Sequence, residues 1–368
     1  MTANRRPPSA VLCTITQERG HGGIARVSVL LWEAMKELAG NRHLVTLLRN
    51  SREPELLDKL RFAWEMIRMQ WRGEARWIVF DHLGLAAVQN LVPQIRRAPY
   101  AVFLHGVEAW CPLPQWKKRV LRGATIRIAN SQYTAERIAG VHPDIGSIAV
   151  CNLALPDPQD ALENLPETEI PDPQVIARVG AKAVLIVGRM ASAERYKGHD
   201  QLIEAWPMVV RSVPDAQLII TGWGDDLARL KAAAVQTGYQ KNILFTGRVS
   251  DATLDMLYGR ASVFAMPARG EGFGIVYLEA MRHSLPCIAS IHDAAGEVVE
   301  HGKTGFLVDQ ANTQELADVI VLLLQNSLLR KEMGGAGLDR VKAQFSFDQF
   351  KARFASAMTP LLNSHPRA

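Results

Sequence analysis

At 368 residues the chain is too long for one ordinary core, and its 48% hydrophobic and 21% charged content are those of a soluble globular protein of two domains. Four scattered cysteines (Cys13, Cys111, Cys151 and Cys287) form no CxxC pair and no cluster with histidine, which argues against a zinc site or disulfide framework and fits a reducing cytosol. The net charge of +5 is uneven: residues 1–154 hold 21 Lys and Arg against 12 Asp and Glu (+9), and the remainder 21 against 25 (−4), so anionic partners are expected at the first half.

Short apolar runs alternate with longer helical patterns, the signature of parallel α/β units. Strands are expected at 10–16, 43–48, 77–81, 100–104, 125–129 and 147–151, with helices at 27–38 and 133–139. Leu57, Leu60, Trp64, Ile67 and Trp71 share one face of a further helix, ringed by Lys59, Arg61, Arg68 and Arg72. Such a face suits either an interfacial membrane helix or one packed on its own domain. Trp116, Lys117, Lys118, Arg119 and Arg122 form a second basic–aromatic patch.

Residues 155–173 are rich in proline and acid with no apolar period, and read as a linker between a domain at 1–154 and another at 174–344. The alternation then restarts, with strands at 183–187, 216–221, 242–246, 262–266, 286–290 and 305–308 and helices at 201–211, 225–237, 274–283 and 313–325. The tail, 345–368, begins a last helix that can cross back to the first domain. No run of about 18 uncharged apolar residues is present to span a membrane. Arg5-Arg6 has no hydrophobic region behind it, so no signal peptide is expected. The localisation expected is cytoplasmic, with peripheral contact at the inner face of the cell membrane if the basic half binds anionic lipid. Nucleic acid is not an expected partner, since no nucleic-acid motif accompanies the basic residues.

Two such domains place ligand loops after their strands, at a cleft between the carboxyl edges of two parallel sheets. Glycine-bearing loops stand at those places: 20–23, His105-Gly106, Gly188-Arg189, 222–224 and 270–274. Within the last, Glu271 and Glu279 lie eight residues apart, with Gly272 and Gly274 where a helix begins. A helix N-terminus attracts an anionic ligand, whereas a carboxylate accepts from hydroxyls. Phosphate on the amides and hydroxyls on the glutamates together suggest a nucleotide-sugar.

These segments together resemble family 4 glycosyltransferases, retaining enzymes of the GT-B fold. Glu271 to Glu279, with Gly272-Phe273-Gly274 between, is similar to the family's E-x7-E element; Gly188-Arg189 through Lys197-Gly198 resembles its phosphate segment; and 295–308 resembles its downstream stretch, with Ala295 in place of a glycine. The resemblance implies an α/β fold of two Rossmann-like domains facing each other across a cleft. It implies transfer of a hexose from a GDP- or UDP-linked donor to a glycan acceptor, one that the basic, aromatic first half makes a lipid-linked glycan. Arg189 and Lys197 are expected to neutralise the leaving diphosphate. Glu279 is expected to accept from the ribose, and Glu271 to lie near the hexose, with the amides of Gly272, Phe273, Gly274 and Ile275 beside sugar and phosphate. Gly22 and Gly23 resemble the family's N-terminal glycine loop, His105 its strand-end histidine beside the reactive sugar, and Arg248-Val249 the position that reads the base. The catalytic set is then His105, Glu271, Arg189 and Lys197. No cofactor beyond the co-substrate and no metal is expected, because no DxD-like pair stands on a suitable loop. Two other readings stay open: a nucleotide-sugar epimerase on the same plan, and a non-catalytic nucleotide-sugar-binding module.

Overall fold

The computed structural model describes residues 9–15, 23–39, 44–48, 55–155 and 171–364. The chain divides into two compact units, residues 1–154 with 347–368, and residues 155–346.

Unit 1 contains six parallel strands, β1 (Ser9–Thr14), β2 (Leu44–Leu48), β3 (Ala75–Phe80), β4 (Tyr100–Leu104), β5 (Ile126–Ala129) and β6 (Ala149–Val150). Their order is β2-β1-β3-β4-β5-β6, so the order reverses between β1 and β3. Among the described residues its longer helices are α1 (Gly23–Ala39), α2 (Glu55–Trp71), α3 (Gln115–Gly123) and α4 (Gln132–Val141). β1 and β4 are buried along almost their whole length, as strands covered by helices on both faces should be.

Unit 2 repeats the plan with β7 (Lys182–Val187), β8 (Ala216–Thr221), β9 (Ile243–Gly247), β10 (Val263–Ala265), β11 (Cys287–Ser290) and β12 (Gly305–Val308). The order β12-β11-β10-β7-β8-β9 reverses between β7 and β10, the Rossmann arrangement. Its longer helices are α5 (His199–Ser212), α6 (Leu227–Gln236), α7 (Asp251–Arg260), α8 (Ile275–Arg282), α9 (Thr313–Gln325) and α10 (Ser327–Gln344). All twelve expected strands are present, their ends moved by at most two residues. Of these longer helices, α3, α7 and α10 escape periodicity. Gly334, Gly335 and Gly337 break the pattern of α10, yet a Cβ on Gly334 would lie 1.9 Å from the Ser284 carbonyl oxygen. Glycine there admits a close helix approach that outweighs its poor helix propensity.

The last helix, α11 (Phe347–Leu362), groups with unit 1 and buries Phe350, Phe354, Met358 and Leu361 there. It starts two residues later than the sequence suggests. Phe345 instead belongs to unit 2, buried edge-on against Phe273 at 5.9 Å between ring centroids. Of the expected linker, 156–170 lies outside the described residues; Leu155 hydrogen-bonds to the Phe345 carbonyl, and a short helix opens at Pro173, capped by Asp172.

Candidate donor site and a second strand-end cluster

In unit 2 the loops that leave β7 and β10 flank the point where strand order reverses, and they carry most of the expected site. Arg189 leaves β7; Lys197 ends a 3-10 turn, Ser192–Lys197, ahead of α5. Glu271 lies on the loop after β10, and Glu279 inside α8. Lys197 Nζ lies 3.4 Å from Glu271 Oε2, so the structure brings together two residues separated by 74 positions. Burial disfavours the Lys197 cation, but Glu271, Tyr196 and Glu194 outweigh that and hold its pKa above the ordinary value.

Local backbone chemistry fixes these loops. Gly222 (φ +138°) could carry no side chain, since its Cβ would fall 2.0 Å from the Gly188 carbonyl oxygen. Gly188 N–H donates to the Thr221 carbonyl at 3.0 Å and Met190 N–H to that of Trp223 at 3.0 Å, so the Arg189 loop is strapped to the end of β8. Gly274 takes a left-handed conformation (φ +86°) as N-cap of α8, where a side chain would strike Tyr277. Phe273 is buried, and Ile275, which opens the helix, is buried too. Gly272 is buried beside it. Arg248 and Val249 follow β9, with Arg248 exposed.

Several residues that the motifs do not flag complete the site. Asp293 accepts from the amides of Gly270 (3.2 Å), Glu271 (3.0 Å) and Ala295 (3.0 Å), clamping the loop that bears Glu271. Burial pushes its carboxyl up to about 6 against those three bonds. Tyr258 Oη donates to Glu279 Oε2 at 2.9 Å, orienting the buried carboxylate, and its ring stacks on His283 at 5.5 Å. Glu194 pairs with Arg189 and lies 3.8 Å from Lys197. Asp225 and Asp226, the acidic pair after the 222–224 turn, are engaged by Ser192 and by Arg195 and Arg229, respectively. Asp293 with Glu271, Tyr258 with Glu279 and Ser192 with Asp225 are each more than 20 residues apart, so no local pattern marks them, whereas Glu194 lies within five residues of both Arg189 and Lys197.

In unit 1 the corresponding reversal lies between β1 and β3. Of the glycine loop, Gly22 lies outside the described residues and Gly23 is the first residue of α1. His105 follows β4, with its ring Nε2 2.6 Å from the Asp81 carbonyl oxygen. A carbonyl only accepts, so Nε2 carries a proton and donates to it. The His105 carbonyl accepts from Asn130 Nδ2 at 2.9 Å, and its amide donates to Glu108 at 2.6 Å. Glu108 is thus a local brace. Trp110 is buried beneath Gly106, whose Cβ would touch its ring at 2.7 Å. Asp81 accepts from Ser28 at 2.5 Å, and burial raises its pKa.

The family model described as glycosyl transferases group 1 matches residues 172–340. Over 296 residues the chain is 33% identical to a GDP-mannose-dependent alpha-(1-6)-phosphatidylinositol monomannoside mannosyltransferase of Mycobacterium tuberculosis, covering 73% of this chain and 72% of that protein. It is 30% identical over 298 residues to a GDP-mannose-dependent monoacylated alpha-(1-6)-phosphatidylinositol monomannoside mannosyltransferase of Corynebacterium glutamicum, covering 77% and 74% respectively. Among solved structures, sucrose-phosphate synthase from Thermosynechococcus elongatus superposes with a TM-score of 0.75 at 19% identity, over 97% of this chain and 99% of that one. Anabaena Alr3699/HepE in complex with UDP gives 0.71 at 18% identity, over 95% and 99%. The superpositions establish the GT-B fold, and the sequence matches extend beyond unit 2. The chain belongs to the group 1 glycosyltransferases, the family 4 type, and is a nucleotide-sugar-dependent glycosyltransferase.

Proposed function

We propose that this enzyme transfers mannose from GDP-mannose to a lipid-linked acceptor with retention at the anomeric carbon and without a resident metal ion. The choice of donor and acceptor is supported by the named activities of the curated relatives. The observation that carries the chemistry is the meeting of Lys197, Glu271 and the N-terminus of α8 at the carboxyl end of a Rossmann sheet, where its strand order reverses.

In this reading the diphosphate departs as the anomeric C–O bond breaks. Arg189 and Lys197 take up the charge that grows on it, assisted by the helix N-terminus. The leaving phosphate oxygen accepts the proton of the acceptor hydroxyl as that hydroxyl bonds to the anomeric carbon on the same face. Glu279, oriented by Tyr258, holds the ribose hydroxyls, and Glu271 positions the sugar. Arg248 and Val249 line the base, and the amides of Gly272 to Ile275 the sugar and phosphate. His105 is assigned to the positive charge on the transferred sugar, with Gly22 and Gly23 approaching the donor through their backbone.

Lipid contact is assigned to unit 1. Leu57, Leu60, Trp64 and Trp71 on α2 are exposed, as are Ile95 and Trp116, while Arg96 lies over the Trp71 ring and Lys117 over that of Trp116, both at 5.5 Å. Aromatic anchors among cations suit an anionic bilayer surface.

Lys197→Ala or Glu279→Ala should weaken GDP-mannose binding about 100-fold, on the scale of losing a charge-assisted contact. Equilibrium titration of the donor measures this, and unchanged affinity in both variants would sink the assignment. Product anomeric configuration read by NMR tests retention. Turnover in excess chelator should match turnover without it.

A further inference from the structure

The two cations assigned to the diphosphate do not stand alone. Glu194 Oε1 pairs with Arg189 Nη2, and Glu194 Oε2 lies 3.8 Å from Lys197 Nζ. On the other side Lys197 meets Glu271 at 3.4 Å. Two cations therefore face two carboxylates, and a dianionic diphosphate arriving there meets a field already neutralised.

Glu194 and Glu271 are not equivalent partners. The Glu271 backbone is clamped by Asp293. Glu194 sits at a break in the 3-10 turn (φ −122°, ψ 26°), and its Oε2 is buried yet accepts no hydrogen bond. Such an oxygen pays desolvation without full compensation. The turn on either side is anchored independently: Ser192 N–H and Oγ donate to Asp225 at 2.9 and 2.6 Å, and Arg195 Nη2 donates to Asp226 at 2.7 Å. The backbone can stay fixed while only the Glu194 side chain turns. Its partner Arg189 is 66% exposed and equally able to swing, whereas Glu194 is 13% exposed.

We propose that Glu194 is an internal stand-in for the donor's diphosphate, holding Arg189 and Lys197 in the empty site and giving them up to phosphate oxygens when the donor binds. This rests on the reading of Arg189 and Lys197 as the diphosphate site. Its consequence is kinetic as well as protective. The carboxylate competes most strongly with the free nucleoside diphosphate, whose terminal phosphate no longer carries the sugar and sits between the same cations, so Glu194 speeds product release. It also keeps ordinary cellular anions from occupying the cation pair.

Calorimetric titration of GDP, and of guanosine as the phosphate-free control, tests this in the full-length enzyme. Glu194→Gln should tighten GDP binding about tenfold, the scale of one partly buried ion pair, while leaving guanosine unchanged. Glu194→Asp, which keeps the charge, should stay near wild type, and thermal unfolding checks that each variant is folded. The gain should shrink in Arg189→Ala/Glu194→Gln relative to Arg189→Ala, because the carboxylate acts through that cation. Product release measured by GDP displacement should slow in Glu194→Gln. Equal or weaker GDP binding in Glu194→Gln, with Lys197→Ala still weakening it, overturns the exchange role and leaves the diphosphate site standing. GDP affinity indifferent to Lys197 and Arg189 alike removes the site reading, and the exchange role with it.

Discussion

Two helices of similar amphipathic pattern, α2 in unit 1 and α5 in unit 2, meet opposite fates. In α5 the apolar stripe, Leu202, Ile203, Trp206, Val209 and Val210, is buried, with Trp206 at 0% exposure. In α2 the stripe that the spacing picks out is largely outside: Leu57 is 58% exposed and Trp64 68%. The face that packs is instead Phe62, Met66 and Met69, against Val11, Cys13 and Phe80 of the core. Ile67, read as part of the outer stripe, is partly buried at its margin. A helix with two apolar faces satisfies one periodicity test, and periodicity does not say which face the sheet takes.

The contrast can be broken in four ways. Trp206→Ala should cost about 3–5 kcal/mol in denaturant unfolding, because a large buried ring leaves a cavity; a small cost would mean that α5 is not the anchored helix it looks.

The second test uses His199 at the start of α5, whose pKa falls to about 4 through burial first and the Lys197 charge second. A depressed histidine contributes stability that is fully present above about 6.5 and lost as pH falls toward 4, since the unfolded ring protonates first. The stability of wild type relative to His199→Leu should therefore drop by about 1–3 kcal/mol between pH 7 and 4. A pH-independent difference refutes a buried neutral ring.

Third, Leu60→Glu with Trp64→Glu should lower partitioning onto anionic vesicles more than about tenfold, with thermal stability kept, since apolar side chains would no longer enter the interface. Loss of stability instead of partitioning would show that the outer face of α2 packs against protein. Smallest of all, Trp64→Ala should change stability by less than about 0.5 kcal/mol, and a cost near that of Trp206→Ala would erase the contrast.

Within unit 2 the motif residues were legible because their chemistry is local. Gly274, Glu271 and Glu279 occupy one turn and one short helix, and the glycines mark where the backbone must adopt positive φ or approach another chain segment. The braces were not legible. Asp293 lies 22 residues beyond Glu271, Tyr258 21 residues before Glu279, and Asn130 25 beyond His105. Each is an ordinary polar residue whose role exists only once strands are laid side by side.

The strand count, the parallel α/β plan and the division near residue 154 are written in alternation and composition, since a run buried on both faces must be apolar wherever it lies. What the tertiary structure alone decided is pairing across distance. Lys197 against Glu271, Tyr258 against Glu279, and the turning outward of Trp64 depend on strand order and helix rotation, which no local period encodes.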